Sequence, residues 1–318
     1  MTKYAIGADV GGTSVKMGIF TDKGAMIDKW SIPTDTSNEG VNISEDVTKS
    51  IREQLQKSNI SKDQVIGVGV GVPGFVNEDA GRVDFAVNIG WRNYPLQNSL
   101  SEALHLPVYI NNDANMAAAG EYWQGAGRNS RSAFCVTLGT GVGGGILLNG
   151  DVVNGPSGTG GEVGHVTVVP GGRLCSCGRR GCLEEYVGMK GFSLNLKERL
   201  ASSGQATQLH AESEVSELFV AANAGDELAQ AVIDESLYYL GLVLSNVVTL
   251  LNPEKIIIGG GISAAGDQLL EPLKKHYERF SLEQADRSLS FGIAELGNDA
   301  GIYGCAWLVI NRENKNFT

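Results

Sequence analysis

The sequence has no block of consecutive lysine and arginine residues, and its formal net charge is −11. Non-specific binding to nucleic acid depends on clustered basic side chains that replace the counterions of the phosphates. The only dense basic group, Arg173, Arg179 and Arg180, lies among cysteines. The composition therefore predicts a protein without a nucleic-acid partner.

The sequence also has no uninterrupted apolar run of membrane-spanning length. Its most apolar window, Leu237–Leu251, contains Ser245 and Asn246, whereas a spanning helix needs about 20 apolar residues. We expect this window to form a buried core helix. The first residues, MTKYAIGADV, contain no stretch of the signal-peptide type, and we therefore expect a cytoplasmic protein that has no membrane partner.

Cysteine is scarce, with five residues, and three of them crowd together at positions 175, 177 and 182. A reducing compartment disfavours a disulfide framework. Cys135 and Cys305 lie in the apolar runs SAFCVTL and YGCAWLV, where free cysteine packs as a small hydrophobic residue.

The chain of 318 residues is long enough for two domains, and one strand–turn–strand plan occurs twice in it. YAIGADVGGTSVKMGIF and AFCVTLGTGVGGGILLN are each an apolar strand, a turn with paired glycines and a second apolar strand. VIGVGVGVPGF and KIIIGGGISAA are each a strand that runs into glycines. Internal repeats of this kind indicate a duplicated unit, and we therefore predict two homologous α/β halves. We also predict a strand in EVGHVTVV and helices at Ile43–Lys57, Val215–Asn223 and Glu227–Leu251.

The run LGTGVGGG at 138–145 contains the dinucleotide fingerprint G-x-G-x-x-G. That fingerprint requires a helix after the glycines and an acidic residue about 20 positions later. Here the β-branched segment ILLNGDVV follows, and the later positions hold Thr159 and Gly160. The run is therefore interpreted as a loop between two strands, which excludes an NAD site, and the P-loop pattern is absent as well.

A glycine turn between strands can still bind phosphate, because successive N–H groups without Cβ atoms form an anion-binding concavity. DVGGTSVK offers a second such turn. In it, Asp9 is the candidate Mg²⁺ ligand, most simply through water, Thr13 supplies a hydroxyl, and Lys16 is the candidate charge contact.

DVGGTSVK, LGTGVGGG and IIIGGG resemble the two phosphate segments and the adenosine segment of the actin-like ATPase superfamily, which includes hexokinases. The resemblance implies a duplicated ribonuclease-H-like α/β fold, two domains and a nucleotide and sugar cleft between them. It implies the following contacts to ATP and Mg²⁺: Asp9, Gly11, Gly12, Thr13, Lys16, Thr137, Gly139, Thr140, Gly141, Gly143, Gly144, Gly259, Gly260 and Gly261.

His165, Cys175, Cys177 and Cys182 form a Cys₃His set, which suits tetrahedral Zn²⁺. Gly178 and Gly181 allow the chain to turn tightly around an ion. Four protein ligands leave no open position for water, so this zinc is expected to be structural. A disulfide such as Cys175–Cys182 and unliganded thiols are the alternatives.

GEVGH followed by CSCGRRGCLE is similar to the signature of the ROK family of repressors and sugar kinases, and the resemblance extends from Tyr4 to about Leu308. The family's repressors carry a DNA-binding segment ahead of the DVGGT turn, which begins here at residue 9, so we expect a kinase. The expected small domain comprises residues 1–115 with the helix 299–318 and carries the first phosphate turn and the catalytic base. The expected large domain, 116–298, carries the second phosphate loop, the zinc loop and the adenosine segment.

Asp113, in YINNDANMAAAGE, is the candidate catalytic base. It follows the apolar strand VYI, and strand ends in α/β sheets face the ligand crevice. The residues alone leave base and helix cap equally open, because an aspartate at a helix start is a common cap. NDAN resembles the catalytic segment of the ROK family, which favours the base.

The resemblance also implies the sugar contacts, namely Gly74, Asn88, Asn112, Asp113, Glu162, His165 and Glu184. Turn formation is the alternative for the two asparagines, and a solvated loop is the alternative for the two glutamates. His165 would contact both zinc and sugar. Gly188 departs from the family, which often has serine there, and we expect little consequence from this change.

Taken together, the resemblance implies an ATP-dependent kinase of the C6 hydroxyl of glucose, and bacterial kinases of glucose are its nearest match. N-acetylglucosamine, N-acetylmannosamine, mannose and allose are alternative substrates, and polyphosphate is an alternative donor. A sugar-sensing protein without turnover is the alternative of another class. Kinases of the family are commonly dimers, so a homodimer is expected.

Overall fold

The computed structural model describes residues 2–316. The chain divides into two compact units. The first unit comprises Met1–Asn129, Gly145–Gly160 and Glu295–Thr318, and the second comprises Ser130–Gly144 and Gly161–Ala294.

The order of elements mixes strands and helices along the whole chain. The strands are β1 (Tyr4–Val10), β2 (Ser14–Thr21), β3 (Met26–Pro33), β4 (Val65–Val72), β5 (Phe75–Asn77), β6 (Arg82–Ala86), β7 (Trp91–Tyr94), β8 (Val108–Asn112), β9 (Ser132–Leu138), β10 (Val142–Leu148), β11 (Asp151–Val152), β12 (Lys255–Gly259) and β13 (Ser290–Ile293). The helices are α1 (Ile43–Lys57), α2 (Leu96–Leu104), α3 (Asp113–Gln124), α4 (Gly188–Ser202), α5 (Val215–Asn223), α6 (Glu227–Leu251), α7 (Asp267–Glu278), α8 (Glu283–Asp286) and α9 (Ala300–Asn316).

The first large sheet has the strand order β3-β2-β1-β4-β8. β1 pairs antiparallel with β2 and parallel with β4, which in turn pairs parallel with β8. The sequence of β4, VIGVGVGV, is buried along nearly its whole length, as expected of a central parallel strand covered on both faces. The parallel strands β1, β4 and β8 end at one edge, which brings Asp9 and Asp113 to that edge.

The second large sheet has the order β11-β10-β9-β12-β13. β9, β12 and β13 are parallel, and β10 pairs antiparallel with β11. Position by position this order repeats that of the first sheet, which confirms the predicted duplication of an α/β unit. It also confirms that the glycine run at 138–145 joins two strands, because β9 ends at Leu138 and β10 begins within the run at Val142.

Helices α3 and α9 pack together in the first unit at close range. A Cβ on Gly120 would lie 2.0 Å from the carbonyl oxygen of Ala300, and one on Gly304 would lie 1.7 Å from that of Met116. Two glycines thus permit the contact between the backbones of these helices. Because α3 packs on α9, the compact unit reaches Asn129, whereas the predicted small domain ends at residue 115.

The segment after β4 contains a three-stranded antiparallel sheet, β5-β6-β7, and the helix α2. The sequence patterns did not predict these elements, because the strands are only 3 to 5 residues long. The small sheet carries Gly74 at its start and holds Asn88 in a short helical turn, Val87–Ile89, between β6 and β7.

The predicted strand in EVGHVTVV is wrong. Val163–His165 forms a single 3-10 turn, and Thr167 makes only an isolated bridge to Cys182. The alternating valines imitate a strand, but their backbone partners lie within the cysteine loop: Val168 N–H donates to Gly181 O at 2.8 Å, and Leu183 N–H donates to Val166 O at 2.8 Å.

Helix α6 is the one helix of the described residues that is long and apolar enough to cross a membrane, with 56% of its apolar window buried. It contains the predicted core window Leu237–Leu251. Leu237, Leu240 and Leu244 are fully buried, and α6 packs against α4, α5 and α7. Such burial is the behaviour of a core helix.

Candidate active site

The turn between β1 and β2 holds Gly11, Gly12 and Thr13 in a partly exposed position. Its carbonyl oxygens face protein donors, because Thr34 Oγ donates to Gly11 O at 2.7 Å and Thr34 N–H donates to Thr13 O at 3.0 Å. A Cβ on Gly12 would make an ordinary van der Waals contact with the Cβ of Asn88, at 3.8 Å. A methyl group therefore fits at Gly12 without a clash.

Asp9 precedes this turn and is largely buried. Burial, and secondly the charge of Asp113, raise the pKa of Asp9 to about 6, while Lys16 lowers it. The first turn of α9 lies against the carboxylate, since a Cβ on Gly301 would be 2.5 Å from Asp9 Oδ2. A buried carboxylate held near another carboxylate is a group that a cation would stabilise. The Lys16 ammonium donates to Asn298 O at 3.2 Å.

Asp113 is the first residue of α3, and its Oδ1 accepts the N–H of Ala114 at 2.8 Å. The cap of this helix is Asn112, whose Oδ1 accepts the N–H of Asn115 at 3.1 Å. The structure thus gives the capping role to Asn112. Burial raises the pKa of Asp113 above the usual value of a carboxyl group, as expected of a general base, which works best with a pKa near the operating pH.

The amide nitrogen of Asn112 donates to Gly74 O at 2.9 Å, so the side chain of Asn112 makes hydrogen bonds on both sides. Gly74 has φ +95°, and a Cβ there would lie 2.2 Å from Phe85 O. Only glycine fits this position. In the first unit the structure therefore groups Gly74, Asn112 and Asp113 at the end of the sheet, and it places Asn88 beside Gly12.

The turn between β9 and β10 belongs to the second unit and repeats the pattern of the first turn. Gly139 O accepts from Met189 N–H at 2.8 Å, Thr140 O from Lys190 N–H at 3.2 Å, and Gly141 O from Gly139 N–H at 3.1 Å. The carbonyls again face protein donors, and a Cβ on Gly139 would have nothing within 4 Å.

Not every glycine of this run belongs to the turn. Gly143 and Gly144 lie inside β10, and a Cβ on Gly144 would be 2.5 Å from Gly161 O, so packing of the backbone accounts for that glycine. Thr137 lies near the end of β9, in register with Gly259 of β12.

Gly188 begins α4, with φ +85°, and a Cβ there would lie 2.7 Å from Gly141 O. A serine would therefore be strained at this position, contrary to the expectation of little consequence. The glycine lets the first turn of α4 reach the carbonyls of the glycine turn.

The segment predicted to lie beside the adenosine follows β12. Gly259 ends the strand, Gly260 has φ +82°, and Gly261 begins a short 3-10 helix, Gly261–Ala265. Beside it, in the second unit, lies a cavity of about 700 Å³, which is within the range of small-molecule sites. Residues that line this cavity include Met189, Phe219, Gly261, Ile262, Ala265 and Gln268.

His165, Cys175, Cys177 and Cys182 form a cluster in the second unit. Their ligand atoms all lie within 4.8 Å of one another, and the cysteines are free. Cys177 Sγ is 3.6 Å from Cys182 Sγ, and Cys175 Sγ is 3.6 Å from His165 Nδ1. Zn–S bonds of about 2.3 Å imply tetrahedral edges of roughly 3.8 Å. The cluster therefore fits a tetrahedral zinc ion and does not contain the alternative disulfide.

The two ring nitrogens of His165 have different neighbours. Nδ1 faces Cys175 and lies 3.7 Å from Glu184 Oε1, while Nε2 lies 3.9 Å from Glu162 Oε2. Glu184 Oε1 also accepts from Cys175 Sγ at 3.0 Å. The structure thus places Glu162 and Glu184, two of the predicted sugar contacts, next to His165 and the Cys₃His cluster.

A polar cluster behind Asp113 was not predicted from the sequence. Asn111 and Asn115 are each 2% exposed, and Glu78 lies within hydrogen-bonding distance of Asn111. The repeated asparagines of INNDAN were the available signal, since buried amides need partners. Glu78 is distant in sequence from these asparagines, and no sequence pattern indicated its contact with them.

The repeated sheet order and the two glycine turns define the actin-like, hexokinase-type fold. The chain matches the ROK family over residues 5–312 and belongs to that family. It is 44% identical to a glucokinase of Halalkalibacterium halodurans, over 98% of this chain and 96% of the relative.

Two solved structures are similar along their whole length. The ROK hexokinase of Thermus thermophilus has 30% identity and a TM-score of 0.85, with coverage of 98% of this chain and 99% of the other. A ROK family glucokinase of Streptomyces griseus, in complex with glucose and AMPPNP, has 32% identity and a TM-score of 0.72, with coverage of 96% and 98%.

Proposed function

We propose that this protein is a glucokinase, which transfers the γ-phosphoryl group of ATP to the C6 hydroxyl of glucose. The observation that carries the proposal is the position of Asp113, a buried carboxylate at the strand edge beside Gly74 and Asn112. The similarity to the glucokinase of Halalkalibacterium halodurans and to a glucokinase solved with glucose and AMPPNP supports it.

The phosphates of ATP are assigned to the turns Gly11–Thr13 and Gly139–Gly141. Both turns direct their carbonyl oxygens to protein donors, an arrangement that leaves the opposite side of each turn to an anion. The open space beside Gly139 supports this assignment. The cavity of about 700 Å³ next to Gly261 is assigned to the adenosine.

Mg²⁺ would be held by Asp9, through water, with the Thr13 hydroxyl nearby. When bound, the ion neutralises charge on the transferred phosphoryl group. Its charge would also lower the raised pKa of Asp9 and hold that carboxylate in its ionised form.

Following the family resemblance, glucose is assigned to Gly74, Asn88, Asn112, Glu162, His165 and Glu184. Carboxylate, amide and imidazole groups can each read a hydroxyl, and a site of this kind strongly rejects analogues that lack one. The two side-chain hydrogen bonds of Asn112 favour a role in holding Gly74 and the start of α3.

In the transfer step, the C6 oxygen forms a bond to the γ-phosphorus while the bond from that phosphorus to the bridging oxygen of ADP breaks. Asp113 accepts the proton of the C6 hydroxyl. Burial raises the pKa of Asp113, which makes it a stronger base than an exposed aspartate.

Zn²⁺ would be held by His165 Nδ1 and the sulfurs of Cys175, Cys177 and Cys182. It supplies four bonds that close the cysteine loop and takes no part in the transfer. With Nδ1 on the metal, Nε2 of His165 is left to face Glu162 and a sugar hydroxyl.

The experiment is a panel of hexoses with ATP and Mg²⁺, measured as kcat/KM ratios. We expect a higher kcat/KM for glucose than for N-acetylglucosamine, N-acetylmannosamine, mannose or allose. The expected product is glucose 6-phosphate. A higher ratio for another hexose would assign that sugar instead. Sugar binding with no product from ATP or polyphosphate would identify a sensor.

We also infer a cytoplasmic homodimer without a nucleic-acid partner. The net charge of −11 supports the absence of such a partner, and Leu250, 82% exposed at the end of α6, is an apolar surface that a second copy could cover. Light scattering on the purified protein measures the oligomeric state, and a monomer at micromolar concentration would contradict the dimer.

A further inference from the structure

Glu78, just beyond β5, joins three segments of the first unit. Its Oε2 accepts from Asn154 Nδ2 at 2.5 Å and from Asn111 Nδ2 at 3.4 Å. Its Oε1 accepts from the guanidinium of Arg312 on α9. The side chain of Glu78 is only 20% exposed.

Asn111 connects Glu78 to the junction between β8 and α3. Its side chain is buried, and its Oδ1 accepts the backbone N–H of Asn112 at 2.8 Å and the amide of Asn115 at 3.2 Å. Asn112 is the cap that immediately precedes Asp113. The orientation of the Asn111 amide therefore fixes the backbone from which Asp113 emerges.

Asn115 closes the network from the other side. Its Nδ2 also donates to Asn154 Oδ1 at 3.0 Å, while its buried Oδ1 has no hydrogen-bond partner among the residues that the structure describes. An unpaired buried acceptor is rare in native structures. Four amide and carboxylate side chains thus lie locked behind the start of α3.

We propose that Glu78 is a positioning residue for phosphoryl transfer, which holds Asn111 and through it the direction of Asp113. This inference rests on the proposed role of Asp113 as the base. Glu78 must be a carboxylate, because all three of its partners are N–H donors and only an acceptor at both oxygens satisfies them. A glutamine would turn an NH₂ group toward either Arg312 or the two asparagine amides.

The first test is Glu78→Gln. We expect kcat to fall roughly 10-fold, because small errors in the direction of a reacting group have large effects on rate, while KM for ATP stays within about twofold and the melting temperature changes little. Glu53→Gln, an exposed glutamate on α1, is the matched control and should match the wild type. Equal kcat in the Glu78 and Glu53 variants would overturn the proposal.

A double-mutant cycle with Asp113→Asn separates positioning from a merely structural effect. If Glu78 acts through Asp113, adding Glu78→Gln to Asp113→Asn should lower kcat by less than about twofold. If the loss of kcat in the double variant equals the product of the losses in the two single variants, Glu78 acts independently of Asp113. Wild-type turnover in Asp113→Asn alone would instead overturn the base assignment, so the two failures are distinguishable.

Arg312 supplies a second pair of variants on an exposed part of α9, where most substitutions have small effects on stability. Arg312→Lys retains a cation at Glu78 and should keep kcat within about twofold of the wild type. Arg312→Ala should lower kcat several-fold in the same direction as Glu78→Gln. If Glu78→Gln fails to fold, the Arg312 variants decide the matter. An unchanged kcat in Arg312→Ala would then contradict the proposal.

Discussion

The carboxylate of Asp113 raises the pKa of Asp9, although 103 positions, including the helices α1 and α2, separate the two residues along the chain. They meet because β1 and β8 run parallel and end at the same edge of one sheet. Two acidic groups at that edge suit a site that binds a cation and moves a proton. Each of them leads to a separate prediction.

Asp9→Asn should stabilise the protein in the absence of Mg²⁺ and ATP while abolishing activity. The folded-state pKa of about 6 lies above the unfolded value of 3.8, so the ionised carboxylate destabilises the fold above pH 6. At about 1.4 kcal/mol per pH unit, this amounts to at most about 3 kcal/mol. The melting temperature of the variant should exceed that of the wild type at pH 7.5, and the gap should close as the pH falls from 6 toward 4.

The control for this variant is Asp22→Asn, which changes an exposed aspartate of the same unit. Its melting temperature should follow that of the wild type at every pH. A lower melting temperature for Asp9→Asn at pH 7.5 would show that its carboxylate is a structural group of the apo fold.

Asp113→Asn should lower kcat by about 10²- to 10⁴-fold, the usual contribution of a general base. The amide keeps the shape of the side chain and can still accept from the N–H of Ala114, so KM for glucose should change little. Steady-state rates from coupled detection of glucose 6-phosphate measure both constants. Asp63→Asn, at an exposed position, serves as the control, and turnover in Asp113→Asn equal to that control would remove Asp113 from the role of base.

Gly12→Ala and Gly139→Ala test the two phosphate turns. A Cβ fits at both positions in the free protein, with a nearest neighbour at 3.8 Å for Gly12 and none within 4 Å for Gly139. We expect unchanged melting temperatures and a KM for ATP raised about 10-fold or more, because the methyl group would occupy the space of a phosphate oxygen. Unchanged KM for ATP in both variants would place the phosphates elsewhere.

Cys177→Ser should remove the metal from the second unit. We expect about one zinc per chain in the wild type and none in the variant by elemental analysis, with a lower melting temperature, since structural zinc contributes directly to folding. Cys135→Ser is the matched control, because Cys135 lies in β9 outside the cluster, and it should retain its zinc. A wild type that is free of zinc after expression in zinc-supplemented medium would contradict the assignment.

Much of the fold could be predicted because its signals are local. Ile43–Lys57, Val215–Asn223 and Glu227–Leu251 are helices with the predicted bounds, since the periodicity that indicates a helix lies within each segment. The repeat of strand, glycine turn and strand predicted the duplicated sheet for the same reason. EVGHVTVV failed because its backbone partners lie in the cysteine loop, and alternation of valines cannot identify the partner of a strand.

The candidate site was predictable where a motif carried it and not where packing did. The Cys₃His set stands out by residue type, whereas Asp113 was selected by the resemblance of NDAN to the catalytic segment of the ROK family. The cap at Asn112 and the contacts of Glu78 with Asn111 and Arg312 depend on side chains brought together by tertiary structure. Gly188 is a case of the same kind, because only the backbone of the glycine turn shows why a side chain is excluded there.

The hydrogen bonds from Met189 and Lys190 to the glycine turn connect that turn to the Cys₃His cluster. The cluster ends at Cys182, and the short segment 183–188 leads directly to these two donors. Under the proposed assignments, the bonds of a zinc ion would therefore help to order the turn that binds phosphate, and removal of the metal would raise the KM for ATP as well as lower the melting temperature.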